Sequence, residues 1–261
     1  MIFTRLHPHL MWSFGCIFTI LLVSTFALHP LKGRVAEPTR TELRKRIISW
    51  WIMISVFVGA MAVSRNASLL LFTLVSFLAL KEYFSLIESR RADRRVLFWA
   101  YLTIPVQYYW IMKGWYGMFV IFIPIYVSLF LPLRMILIGE TEGFVKSAAT
   151  VQWGLMKTVF CLSHNAALLV LPCSANRNGG GPGLVLFLVA LTQFNDVAQY
   201  IWGKSLGRRM IVPTISPGKR WERFLGGMVS TTAVTYFAAP FLTPFSGGTK
   251  FLESRSRARL A

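Results

Sequence analysis

The chain has 261 residues, 55% of them hydrophobic, and carries 28 Lys and Arg against 10 Asp and Glu, a formal charge of +18. A mean hydropathy of +0.55 excludes an ordinary soluble domain of this size. The basic residues sit in short segments between long apolar runs, which excludes a nucleic-acid binder, and the partner that fits is a membrane with anionic lipid or phosphate ligands near its loops.

A spanning helix needs roughly 20 mainly apolar residues. Eight such segments follow in chain order, at 10–30, 47–63, 67–87, 96–112, 115–138, 149–171, 183–202 and 224–245. The expected fold is therefore all-α, a polytopic integral membrane protein of eight transmembrane helices forming one domain over 1–246. Residues 247–261 read as a basic, polar, disordered tail. The first run precedes Lys32 and Arg34 without a small-residue cleavage site, so it reads as a retained helix. No stretch reads as a sheet, and no internal repeat suggests a solenoid.

The loops set the orientation. Segments 32–46, 88–95 and 203–223 are rich in Lys and Arg, and with eight spans all three fall on one side. The positive-inside rule makes that side cytoplasmic. Cys16, Cys161 and Cys173 form no CxxC pair, so neither a disulfide framework nor a zinc site is expected. The glycine tract from Asn178 to Gly183 follows no strand and reads as an external loop rather than a phosphate-binding loop.

The seventh span contains Asn195 and Asp196 side by side. A carboxylate at a helix centre costs about 2.5–3.5 kcal/mol on insertion scales, and intramembrane acids are functional by default. On a helix, Thr192, Asn195, Asp196, Gln199 and Tyr200 fall within an arc of about 140°. Such a stripe can face other helices or a water-filled cavity. An ionised carboxylate near many cations suits Mg²⁺, which takes oxygen ligands, usually one or two carboxylates plus substrate phosphates.

The next loop, "PTISPGKRWERFLGG", runs from Pro213 to Gly227. Ser216 can cap a helix whose first residue is Pro217. The free N–H groups of that terminus, with Lys219 and Arg220, make an anion site suited to phosphate or pyrophosphate. Glu222 is placed to orient a base or join a metal.

These residues resemble the central region of phosphatidate cytidylyltransferases, integral membrane enzymes that make CDP-diacylglycerol. An Asp, a Tyr four residues on and two glycines stand here as Asp196, Tyr200, Gly203 and Gly207. A Ser-Pro-x-Lys-x-x-Glu element with a following Gly-Gly stands as Ser216, Pro217, Lys219, Glu222, Gly226 and Gly227. The resemblance implies attack of a phosphatidate oxygen on the α-phosphorus of CTP, with pyrophosphate leaving. It implies Asp196 and Lys219 as catalytic residues, Asp196 also as the Mg²⁺ ligand. Asn195, Lys204, Arg208, Ser216, Arg220 and Glu222 form the implied phosphate-binding set. The expected location is a bacterial inner membrane with these loops cytoplasmic, and a homodimer is a further expectation.

The family also has a Lys-Asp pair, a Pro-Gly-His-Gly-Gly stretch and an Asp-Arg-x-Asp that supply a second metal-binding carboxylate. Here the sequence runs on as "GGTKFLESRSRARLA", and the only acid after Glu222 is Glu253. This reads as a truncation or shifted frame near Gly247 and makes the activity of the chain doubtful. The alternatives are an inactive membrane protein or fragment that binds lipid phosphate, and a transporter using Asp196 as an ion site. A transporter favours broken segments in both halves, and only one polar-striped segment is present.

Overall fold

The computed structural model describes residues 8–27, 37–87, 94–139, 142–170, 180–212 and 216–244. Its helices are α1 (Pro8–Ala27), α2 (Glu37–Val63), α3 (Arg65–Ser85), α4 (Arg94–Lys113), α5 (Tyr116–Ile121), α6 (Ser128–Ile136), α7 (Phe144–Leu155), α8 (Cys161–Ala167), α9 (Gly180–Ser205) and α10 (Trp221–Leu242). A π-helical segment, Phe122–Val127, joins α5 to α6, and another, Met156–Phe160, joins α7 to α8. Among the described residues each predicted span overlaps one helical run. By length and composition, four runs are long and apolar enough to cross a membrane: Arg40–Val63, Arg65–Ser85, Tyr116–Ile136 and Gly180–Ser205.

Several boundaries move. Arg40, Arg44, Lys45 and Arg46, read as loop, lie in the first turns of α2, and Arg94 opens α4. Gly180 to Gly183, also read as loop, begin α9. The basic tail from 247, with Glu253, and Cys173 lie outside the described residues. Cys16 and Cys161 are exposed and free.

The absence of sheet is corrected by an antiparallel hairpin, β1 (Met210–Val212) and β2 (Ser216–Arg220), pairing Met210 with Arg220 and Val212 with Ser216. Val212 and Ser216 each precede a proline, which disfavours the α conformation and favours extended backbone. An extended Ser216 would also suit a helix cap, but here the extended backbone continues to Arg220 and the helix begins only at Trp221.

The chain divides into two compact units, one that includes Cys16–Leu171 and one that includes Leu6–Gly15 and Pro172–Ala261. In the first, polar bonds tie the helices where lipid supplies no hydrophobic drive between them. The Tyr108 hydroxyl of α4 donates to the Phe72 carbonyl of α3 at 2.9 Å and lies 2.8 Å from the Ser76 hydroxyl. Next to it, Gln107 donates through Nε2 to the Phe119 carbonyl of α5 at 3.0 Å and to Ser163 Oγ of α8 at 3.2 Å. The Tyr83 hydroxyl of α3 donates to the Thr150 carbonyl of α7 at 3.0 Å. Gly154 lets α7 lie against the Tyr83 ring, which any side chain there would overlap. The second unit holds the start of α1 and an antiparallel helix pair, α9 and α10, joined by the hairpin.

Candidate active site

The site is built on the α9–hairpin–α10 unit. Two glycines of α10 set its geometry. A Cβ at Gly226 would overlap the Trp202 indole, and one at Gly227 would overlap Gln199 and stand 3.1 Å from Asn195 Oδ1. Their lack of side chains therefore lets the two backbones approach closely. Polar bonds lock the register: Trp202 Nε1 donates to Ser230 Oγ at 2.9 Å, and the Thr231 hydroxyl donates to Asn195 Oδ1 at 3.2 Å.

This contact splits the polar stripe of α9. Asn195 and Gln199 are half-buried against α10, whereas Thr192, Asp196 and Tyr200 are exposed. The half-buried pair opens onto a groove of about 340 Å³, completed by Phe224, Met228, Thr231, Thr232 and Thr235. With Oδ1 taken by Thr231, Asn195 retains its amide N–H groups for a ligand. Asp196 keeps an exposed carboxylate one position round the helix.

The hairpin is clasped from below α9. Leu206 N–H bonds to the Trp202 carbonyl at 3.0 Å, and Trp221 N–H bonds to the Arg209 carbonyl at 3.0 Å. The Glu222 carboxylate accepts the Arg208 N–H at 3.1 Å and the Arg209 N–H at 3.2 Å on each oxygen. The Arg220 guanidinium donates to the Gly207 carbonyl. Gly207 must be a glycine here, since a Cβ would strike the Gly203 carbonyl and the Arg220 side chain. The Glu222 carboxyl is held below the usual glutamate range, chiefly by its own backbone N–H; burial opposes this as the next-largest effect, and the N–H groups of Arg208 and Arg209 with the Arg209 charge lower it further.

Three expected roles change. Ser216 does not cap a helix: it starts β2, and α10 begins at Trp221 after an extended Arg220 with φ −125° and ψ 146°. The phosphate-binding helix terminus expected at Pro217 is therefore absent there. Glu222 binds backbone amides, and Arg220 binds a backbone carbonyl, so both act as a clasp. Lys204, Arg208, Arg209 and Lys219 keep exposed side chains around it. Asp196 and Lys204 are separated by 204 − 196 = 8 residues, about 12 Å along the α9 axis.

Among the described residues, no group of three His, Cys, Asp or Glu side chains comes together. The donor set at Asp196 is a single exposed hard carboxylate. That set does not form a closed cage. It does fit Mg²⁺, which keeps several waters and binds through one or two carboxylates plus substrate phosphates.

The groove and the clasp escaped the sequence reading. The pairs Asn195/Gln199 and Thr231/Thr235, each spaced i, i+4, were a usable signal for facing polar rows. The β-branched Ile211 and Val212 ahead of Pro213 were a signal for β1, whereas β2, "SPGKR", carries no such signal.

Comparison with known proteins gives the family. The profile of the cytidylyltransferase family matches residues 44–253. The uncharacterized protein YnbB of Escherichia coli is 40% identical over 234 residues, covering 90% of this chain and 76% of that protein. A phosphatidate cytidylyltransferase of Mycobacterium leprae is 40% identical over 85 residues, 31% of this chain and 25% of that protein. A phosphatidate cytidylyltransferase of Mycobacterium bovis is 35% identical over 103 residues, 38% of this chain and 31% of that protein. The chain thus spans a third or less of the length of these two named enzymes. No solved structure matches it. With most of its length inside the matched region and its glycines and charges placed as described, the chain belongs to the cytidylyltransferase family.

Proposed function

We propose that this chain is a membrane cytidylyltransferase that joins CTP and phosphatidate into CDP-diacylglycerol and pyrophosphate. The observation that carries the proposal is the exposed Asp196 carboxylate on α9, about two turns before Lys204 and the basic segment that leads into the clasped hairpin. A phosphatidate oxygen attacks the α-phosphorus of CTP, and the bond from that phosphorus to the bridging oxygen of pyrophosphate breaks.

Each residue then has a physical task. Lys204, Arg208 and Lys219 take the phosphate oxygens and offset charge as it moves to the leaving group. Asn195 donates its amide to a substrate oxygen at the edge of the Thr-lined groove. Arg220 and Glu222 fix the backbone that carries these cations, so the charges need no reorganisation during transfer. Asp196 would hold Mg²⁺, which would supply charge neutralisation to the substrate phosphates. The eight helical runs each cross the membrane, and the three basic segments, this hairpin included, face the cytoplasm of a bacterial inner membrane, where CTP is available.

A second reading, lipid-phosphate binding without turnover, is favoured by the single carboxylate of the site. Purified protein with CTP, phosphatidate and Mg²⁺ separates the two by release of pyrophosphate. We expect slow turnover, below about one per second, the lower edge of ordinary enzyme rates, and its loss in Lys219→Ala. Magnesium-dependent CTP binding without pyrophosphate release selects the second reading. Absence of both binding and release contradicts the proposal.

A further inference from the structure

The first unit carries a groove of about 380 Å³ between α4 and the α5–α6 run, within the range of ~300–1,000 Å³ usual for ligand pockets. Its walls include Trp99, Leu102 and Val106 of α4 and Phe122, Tyr126 and Phe130 opposite. The groove has an identifiable origin. α4 contains Pro105, and the facing π-helical segment contains Pro124. They lie 114 − 105 = 9 and 124 − 114 = 10 residues from the turn at Gly114, hence at one level of the helical hairpin. A proline removes a backbone bond and a π-helical turn inserts a residue, so both helices depart from regular packing there.

One end of the groove is charged. Arg134, in the last turn of α6, holds its guanidinium 5.5 Å from the centre of the Trp99 ring. The Phe130 ring stands against the same indole at 5.3 Å. Stacked this way, the guanidinium keeps its N–H edge free for oxygen ligands. Among the described residues no carboxylate pairs with Arg134. From Trp99 to Val106 the groove runs about 10 Å along α4, a third of the ~30 Å hydrocarbon core.

The apolar lining alone does not select an occupant, since lipid tails are as apolar as leucine. The charge does. We propose that this groove binds an anionic glycerophospholipid, with one acyl chain along Leu102, Val106, Phe122 and Tyr126 and the headgroup phosphate on Arg134. Basic pockets between transmembrane helices on the cytoplasmic side bind anionic head groups in this way. The site is independent of Asp196 and does not rest on the transfer reaction.

The test uses the full 261-residue chain, purified in mild detergent and incubated with dioleoylphosphatidylglycerol or dioleoylphosphatidylcholine. Lipid retained per chain is counted by native mass spectrometry. One basic residue near an anionic surface is worth about fivefold in affinity. Arg134→Gln should therefore lower phosphatidylglycerol retention about fivefold and leave phosphatidylcholine unchanged, while Arg134→Lys keeps most of the preference. Val106→Trp, which fills the groove, should lower retention of both lipids. Equal phosphatidylglycerol retention in the parent and Arg134→Gln overturns the headgroup assignment. Unchanged retention in a folded Val106→Trp overturns the acyl-chain assignment. Should Val106→Trp fail to fold, the Gln and Lys variants at Arg134 decide the proposal.

Discussion

Both carboxylate oxygens of Glu222 accept the backbone N–H of Arg209, at 3.2 Å each. An acid at the start of α10 thus fixes the backbone of a loop 13 residues earlier in sequence. Its role is to hold cations in place, and its charge is part of the clasp.

The Glu222 clasp should depend on pH in one direction. The folded-state value is depressed, so the clasp is fully present above the ordinary glutamate range near 4.3. It is lost as pH falls through the depressed value. Amide hydrogen exchange at Arg208 and Arg209, corrected for its intrinsic pH dependence, should show protection at pH 6 that disappears in strong acid. Glu222→Gln should lack that protection at pH 6. Equal protection in the variant would show that the hairpin is held by other bonds.

Gly227→Ala should destabilise the protein although alanine is the better helix former by about 1 kcal/mol. The added methyl overlaps Gln199 and approaches Asn195 Oδ1, and overpacking commonly costs about 1–3 kcal/mol. Gly59→Ala in α2 has open space around its added methyl, so there propensity decides and the change should be neutral or stabilising. Thermal unfolding of both variants in detergent provides the comparison. A stabilised Gly227→Ala would mean that α9 and α10 do not approach as described.

The basic hairpin should be reachable only from the cytoplasmic side. Ser205 is exposed at the end of α9, so a cysteine placed there reports sidedness in a background without the other three. A membrane-impermeant thiol reagent should label it in inverted vesicles and not in intact cells. Labelling from the outside alone would reverse the topology and deny the site its CTP.

Much of this architecture was legible because lipid imposes a simple rule: long apolar runs between basic segments become helices. Asp196 was legible for the same reason, since a carboxylate in such a run is conspicuous. The hairpin was not, because Ser216 and Pro217 satisfy a helix-start pattern as well as an extended one. An extended Ser216 suits both, and what favours the strand is the set of bonds that Glu222 and Arg220 make once β2 is extended. The groove was hidden for another reason. Which half of the α9 stripe meets α10 depends on where Gly226 and Gly227 allow contact, and helical periodicity alone does not encode that register.

The central claim is that Asp196 carries the metal-dependent step. Asp196→Asn keeps the shape of the side chain and removes the charge that Mg²⁺ requires. CTP affinity of the purified protein, measured by equilibrium dialysis with and without Mg²⁺, tests it most directly. The account predicts that Mg²⁺ strengthens CTP binding to the parent at least about tenfold, equivalent to about 1.4 kcal/mol, and that the variant inserts normally but loses this dependence. An unchanged magnesium dependence in Asp196→Asn would contradict it and leave Asp196 a structural residue.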